Sequence, residues 1–416
     1  MSITDTVRVE DFDQVMTPTP ARRPEVRTRP VAEPDPRQTM RRLPQPLQLP
    51  LTMLTGKPYA GQRPLTFTPT FHLVAAFADM ALGVAITGTL LSRGAWWLLA
   101  LPIGWALTLH GMRNLRMMIY HQCAHRNMYR RNRRLDAPIG RLAASLLLVQ
   151  NFARYSAEHM GDHHALHHMT LKDPTVQAIL LSLELRPGMT RRQMWRQLLA
   201  KLVSPRFHLA FSIGRCRSFL NRATLAERLT ALGLYGGALA VSLWTGYWQL
   251  FLIGWLVPLF PLFQVSNTLR LCVKHTFPEP GIQLRKGREY FASLTNAIFL
   301  GEAAPAGRGA LGWLRWVGRM ALVHFPARYL VLTGDTVCHD FHHRHPSTRD
   351  WANYIFARQQ DIDNGHPGWP AYREAWGLVA AINLMFDSLS RADAEEFDPA
   401  LIRSVSKREL FAAFDD

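Results

Sequence analysis

The chain has 416 residues, of which 48% are apolar and 19% charged, with 12 Trp and 17 His. Charged residues make up about a quarter of an ordinary soluble domain, so this balance excludes a plain soluble assembly and points to a membrane protein. The net charge of +17 leaves nucleic acid or an anionic membrane surface as partners, and the four Cys lack the spacing of a disulfide framework or a thiolate zinc module.

Residues 1–64 read as a disordered, Pro/Arg-rich cytosolic tail. Pro recurs from Pro18 to Pro64 without apolar periodicity, so this part is expected to bury no core. Its start, Met1 to Val15, lacks the apolar run of a signal peptide.

The mean hydropathy is only −0.06, so the apolar residues must be concentrated. Four stretches have the length and composition of membrane spans, at about 73–91, 95–112, 229–248 and 249–269. The short joins at Ser92–Gly94 and Trp244–Trp248 make two helical hairpins. From Arg113 to Arg134 there are seven Arg and no acid, and from Arg186 to Arg228 ten basic residues and one acid, Glu227. Positive charge stays on the cytosolic side. The expected fold is therefore an all-α integral membrane protein of two transmembrane hairpins. Its cytosolic helical cap is formed by 113–228 and 270–390, within a domain of 65–390 followed by a C-terminal tail, 391–416. Segment 192–203 reads as an interfacial amphipathic helix. No nucleic-acid motif is present, and Arg next to lipid accounts for the charge.

Three His clusters stand out: His121 with His125; His159, His163 and His164, continued by His167 and His168; and His339, His342 and His343. His275 stands alone between the second and third. Residues three and four apart share a helix face, and imidazole is the commonest metal ligand among side chains. Nine His (His121, His125, His159, His163, His164, His275, His339, His342 and His343) exceed the four ligands of one zinc. There is no HExxH motif, and the Cys are not at ligand spacing. Two irons would use the set fully, since imidazole suits iron as well as zinc. A ligating His normally donates its other N–H to a carboxylate or carbonyl, and Asp162, Asp173, Asp335 and Asp340 are the nearby acids. Cys123, Cys272 and Cys338 lie beside the clusters and read as small buried residues. Asn267 and Arg270 either line a substrate entrance or end a helix.

The order HxxxH, HxxxHH and HxxHH around two membrane hairpins resembles the membrane-bound fatty acid desaturase and hydroxylase family, over about Leu73 to Asn383. Tyr155, Asp173-Pro174 and the stretch GDTVCHDFHHRHP support the resemblance. It implies a non-haem di-iron centre at the cytosolic mouth of the bundle. It also implies O₂ as co-substrate, two electrons from a reductase chain, and desaturation or hydroxylation of an acyl or lipid chain. Box two fits the family pattern in two registers, His159-x₃-His163-His164, which the interval to Asp173-Pro174 favours, and His164-x₂-His167-His168. His366-Pro367-Gly368 is followed by Trp369 and only about fifty residues, too few for a fused cytochrome domain. The donor is therefore expected to be a separate ferredoxin-type protein with its reductase. No catalytic residue beyond the metal centre is assigned. A hydroxylase of a lipid or small metabolite, and a His-rich metal transporter or sensor, remain as alternatives. Six Lys against a large excess of Arg hints at a bacterial inner membrane.

Overall fold

The computed structural model describes residues 35–282, 286–307 and 309–402, apart from the side chains of residues 162, 164–166 and 222. Helices dominate. The first longer than one turn, α1 (Gln45–Thr55), lies inside the stretch read from sequence as a tail. Residues 36–55 are folded by a small apolar cluster, in which Met40 and Leu51 meet Ala304 and Met320, and by polar bonds. The buried Arg37 guanidinium donates to Lys57 O, to Gln48 Oε1 and O, and to Thr52 Oγ1, all at 2.9–3.1 Å. Residues 1–34 and 403–416 of the two predicted tails lie outside the described residues.

The membrane core begins with α2 (Pro69–Arg93), whose N-cap Thr68 accepts from Phe71 N–H and whose first residue is Pro. Gly94, at φ 60, reverses the chain at once into α3 (Ala95–Ala124). The two helices pack through small residues. A Cβ on Gly83 would lie 2.4 Å from Thr108 Oγ1, and one on Gly104 2.3 Å from Thr87 Oγ1, so only hydrogen fits at this crossing. Asp79 of α2 faces His110 of α3 at 3.8 Å, and the other His110 nitrogen donates to Tyr329 O at 2.7 Å.

Seven further helices lead to the second half: α4 (Asp136–Leu147), α5 (Phe152–Glu158), α6 (Arg191–Val203), α7 (Pro205–Arg222), α8 (Leu225–Trp244), α9 (Leu250–Lys274) and α10 (Arg288–Ser293). Among the described residues three helices, α2, α3 and α9, are long and apolar enough to cross a membrane. The sequence predicts a fourth span at 229–248. That stretch falls on α8, which starts at Leu225 because Glu227 closes a capping box with Thr224, and ends at Trp244. Glu227 and Arg228 thus sit in its first turn and dilute its apolar character, while Leu229, Leu232, Leu243 and Trp244 are exposed. The predicted interfacial helix at 192–203 is packed along one face, while Leu199 and Val203 are exposed. Met194 and Leu198 of α6 are buried, and Trp195 Nε1 donates to Asn383 Oδ1 at 2.8 Å.

The chain closes with α11 (Ala310–Arg319), α12 (His339–Arg344), α13 (Tyr354–Asp363) and α14 (Leu378–Arg391). The all-α expectation misses a small parallel sheet. β1 (Ala297–Phe299) pairs with β2 (Glu374–Trp376) in the register Ala297↔Glu374, Phe299↔Trp376. Three-residue strands leave no readable alternation.

Candidate metal centre

Four elements deliver the imidazoles. His121 and His125 close the C-terminal end of α3, one turn apart, just after a π-helical stretch at Leu115–Tyr120. The first box is therefore part of a membrane-length helix rather than of a loop beyond it. Helix α5 is started by Asn151, whose side chain accepts from Ala153 and Arg154 N–H. It continues as a second π-helical stretch, His159–Leu166, that carries His159 and His163. His275 caps α9 in extended conformation and is held by a bridge to Thr295. His339, His342 and His343 occupy α12. Single π turns inside α-helices concentrate at functional sites, because they re-aim side chains that an α-helix would align.

These elements bring eight buried imidazoles into two groups: His121, His125, His159 and His342; and His163, His275, His339 and His343. The ligand nitrogens of each group lie within 4.8 Å of one another. In the first, His121 Nε2 lies 2.8 Å from His159 Nε2, and His125 Nε2 lies 3.3 and 3.1 Å from those two. In the second, His275 Nε2 lies 3.2 Å from both His163 and His339 Nε2, and His343 Nε2 3.1 Å from His339 Nε2. Converging ring nitrogens need a proton or a cation between them. Metal–nitrogen bonds of about 2.0–2.1 Å at octahedral to tetrahedral angles put neighbouring ligand nitrogens about 2.8–3.4 Å apart, and the observed edges fall in that range. Burial, followed by the charge of neighbouring groups, pushes His125 down to about 3 and His275, His339 and His342 far below the usual range. Both effects favour the neutral form of these four rings, the form that ligates. The residues present fit two metal ions.

Residues 95–301 match the family model of the fatty acid desaturases. The chain belongs to the fatty acid desaturase family. No curated protein matches it. The match covers the first two His boxes and His275 and ends before the third box, which geometry alone brings into both groups. Desaturase-family proteins bind iron, and the family points to a membrane oxidoreductase.

The remaining predicted residues fall into three kinds. Asp173 turns its carboxylate to a member of the second group: His163 Nδ1 donates to it at 3.2 Å, and Met169 and Thr175 N–H at 2.8 Å each. Burial alone would raise it, but His163 and His168 beside it hold it down at about 2. His168 is buried, with its Nδ1 3.7 Å from Asp173, its ring 4.7 Å from His275, and Phe291 stacked at 5.1 Å. With His163 and Asp173 it forms a third close group beside the second, whereas His167 is half-buried and joins none of them. The side chains of His164 and Asp162 lie outside the described residues.

Asp335 comes within 4.0 Å of His121 Nδ1, and burial, opposed by Arg270, pushes it up to about 7. Asp340, by contrast, orients no imidazole. It receives Arg358 at 2.9–3.1 Å and caps Phe341 N–H, because a buried guanidinium competes for the same carboxylate. Cys123, Cys272 and Cys338 are buried free thiols outside both groups. Asn267 and Arg270 are buried, and Asn267 Oδ1 accepts from Arg113 Nη1 at 2.7 Å.

Sequence reasoning missed the supports. Tyr155 stacks on His159 at 5.0 Å and 20°, and the Arg116 guanidinium lies 4.2 Å from the Tyr155 ring and 4.5 Å from Tyr120. Over the third box runs a ladder of guanidinium and aromatic groups. Arg288 and Arg344 both face Trp369 at 5.5 Å, Arg344 faces Tyr372 at 3.6 Å, and Arg358 lies between Tyr372 and Phe299 at 4.4 and 5.0 Å. The order His, Arg, His at 343–345 is the only local sign of it.

Proposed function

We propose that the protein is a four-span membrane enzyme that holds two irons and uses O₂ and two electrons to desaturate a fatty acyl or lipid chain. The observation that supports this most is the pair of all-imidazole groups lying side by side. Each of the second and third boxes contributes to both groups, an arrangement suited to two ions acting on one substrate. Two irons so held would activate O₂ for hydrogen removal from an unactivated C–H bond. Removing two hydrogens from adjacent carbons, with O₂ going to two waters, also consumes two electrons and two protons.

The chain's own residues bind and orient. His121, His125, His159 and His342 would hold one ion, and His163, His275, His339 and His343 the other, with His168 at the edge of the second and His164 a further candidate from the sequence. Asp173 fixes the tautomer of His163, so that Nε2 faces the ion. Tyr155 and Arg116 keep the His159 ring flat. The burial of all eight imidazoles excludes bulk water from the oxidising site.

The electrons would come from a separate acidic carrier of ferredoxin type with its reductase. Arg126, Arg130, Arg131, Arg133 and Arg134 are exposed, starting one residue after His125, and give such a carrier a complementary face. With α8 as the fourth span, these basic loops lie on the cytosolic side of a bacterial inner membrane.

Elemental analysis of the purified protein tests the proposal. About two irons per chain, and loss of lipid product in His163→Ala while the protein still inserts, are expected. Turnover retained in His163→Ala overturns the site, and zinc alone in iron-replete protein turns the reading to metal transport or sensing. Product analysis separates a double bond from an alcohol.

A further inference from the structure

Helix α11 has no buried residue, although it is rich in Leu and Trp. It continues without a break through two π turns, Met320–His324 and Ala327–Val331. One face is used inside the protein. Trp313 and Trp316 pack with Met320 against Met40, Leu51 and Ala304, and their indoles donate to Gly307 O and Glu302 O at 3.1 and 2.9 Å. The opposite face carries Leu311, Leu314, Leu322 and Phe325, exposed by 79, 70, 79 and 50%. Offsets of three, eleven and fourteen residues put all four on one stripe. Arg315 and Arg319 flank it and are exposed.

The far end of the segment is fixed to the membrane helices. Tyr329 lies on His110 of α3, 3.7 Å apart and 5° from parallel, and Leu330 O accepts from Ser266 Oγ of α9. Phe325 stacks on Tyr329 at 5.2 Å, so the exposed stripe is continuous with the lipid-facing surface of the bundle. A contiguous aliphatic stripe is costly in water and stable at the boundary between headgroups and acyl chains, where flanking Arg meets phosphate.

We propose that Ala310–Phe325 is an in-plane membrane helix whose Leu311, Leu314, Leu322 and Phe325 are embedded in one leaflet of the bilayer. The embedded segment runs directly into Gly334–Cys338 and the third His box. It therefore holds that box at a fixed depth relative to the lipid.

The test is spin-label accessibility in the full chain, reconstituted in phospholipid vesicles containing anionic lipid. Cys123, Cys272 and Cys338 are buried and Cys216 half-buried, so Cys216→Ser is the background. Nitroxides go on Leu314→Cys, Leu322→Cys and, as the flanking control, Arg315→Cys. Embedding predicts that 314 and 322 relax with O₂ several-fold more than with a water-soluble nickel chelate, and that 315 shows the lower ratio. Nickel access at 314 and 322 equal to that at 315 overturns the proposal. So does access to neither reagent, with spin–spin broadening between labels, which would mean that a second copy of the chain covers the stripe. Using two label sites guards against local misfolding at one.

Discussion

His159 and His163 lie one turn apart on the same helix, with rings 5.4 Å apart and 23° from parallel, yet each belongs to a different metal group. The π-helical stretch that carries them makes this division possible. The third box is divided the same way, with His342 in one group and its neighbour His343 in the other. His159→Ala and His163→Ala are therefore expected to damage different ions. Each should lower bound iron and abolish turnover, but spectra of the remaining metal should differ between the two. Identical spectra would contradict the division.

Asp173 is the carboxylate that steadies His163. In Asp173→Asn, iron affinity should fall by roughly 10–100-fold, read by competition with a chelator. Asp173→Ala should lose further stability of about 1–3 kcal/mol, because two buried N–H groups lose their acceptor.

Asp136, the first residue of α4, is buried, which pushes its carboxyl up to about 6 against the pull of Tyr129 N–H and of Arg133 and Arg126. A carboxyl raised in the folded state binds its proton more tightly there than in the unfolded chain. Its contribution is thus greatest at low pH and declines between pH about 4 and 6, by at most roughly 1.4 kcal/mol per pH unit. Asp136→Asn should keep the contact with Tyr129 and remove this decline. Melting temperature against pH for the two proteins checks it, and parallel curves would refute it.

Arg131 and Arg134 stand on the exposed basic loop after the first box. Arg131→Glu with Arg134→Glu should slow turnover driven by a reduced acidic ferredoxin about ten-fold or more at low salt, and much less at high salt. Turnover driven by a small chemical reductant should be unchanged. An equal loss with both reductants would mean that the loop supports the centre rather than a carrier.

Arg358 and Asp340 form a buried pair at 2.9 Å. Arg358→Met leaves a buried carboxylate alone and removes a rung of the ladder over the third box, so a loss of about 3–5 kcal/mol is expected. Thermal unfolding in detergent measures it.

The clustered imidazoles were readable because three sets of His at helical spacing suggest little chemistry besides metal binding, and the fold brings eight of them together. Their partition was not readable, because a π turn breaks the i, i+4 alignment of an α-helix. Asp173 could be picked out from its place after box two, whereas Asp340 was misjudged because its partner, Arg358, is distant in sequence. The hydrophobic pattern located α2, α3 and α9; in α8 a capping box draws Glu227 and Arg228 into the first turn, so that helix is less apolar than the other three. The pattern also placed an interfacial helix at 192–203, where Trp195 packs on α14 while Leu199 and Val203 are exposed. Residues 36–55 escaped notice because what holds them, the Arg37 guanidinium with its acceptors and apolar partners at Ala304 and Met320, is not a local periodic pattern.

The pairing of β1 with β2 bears on how far this protein can be divided. The stretch that matches the family ends at 301, two residues after β1, while β2 begins at Glu374. A chain cut at 301 would keep five of the eight clustered imidazoles and expose a bare strand edge that invites pairing with other chains. The second half of the molecule is thus not an appendage to a finished catalytic module. The smallest piece able to close the site must reach past Trp376.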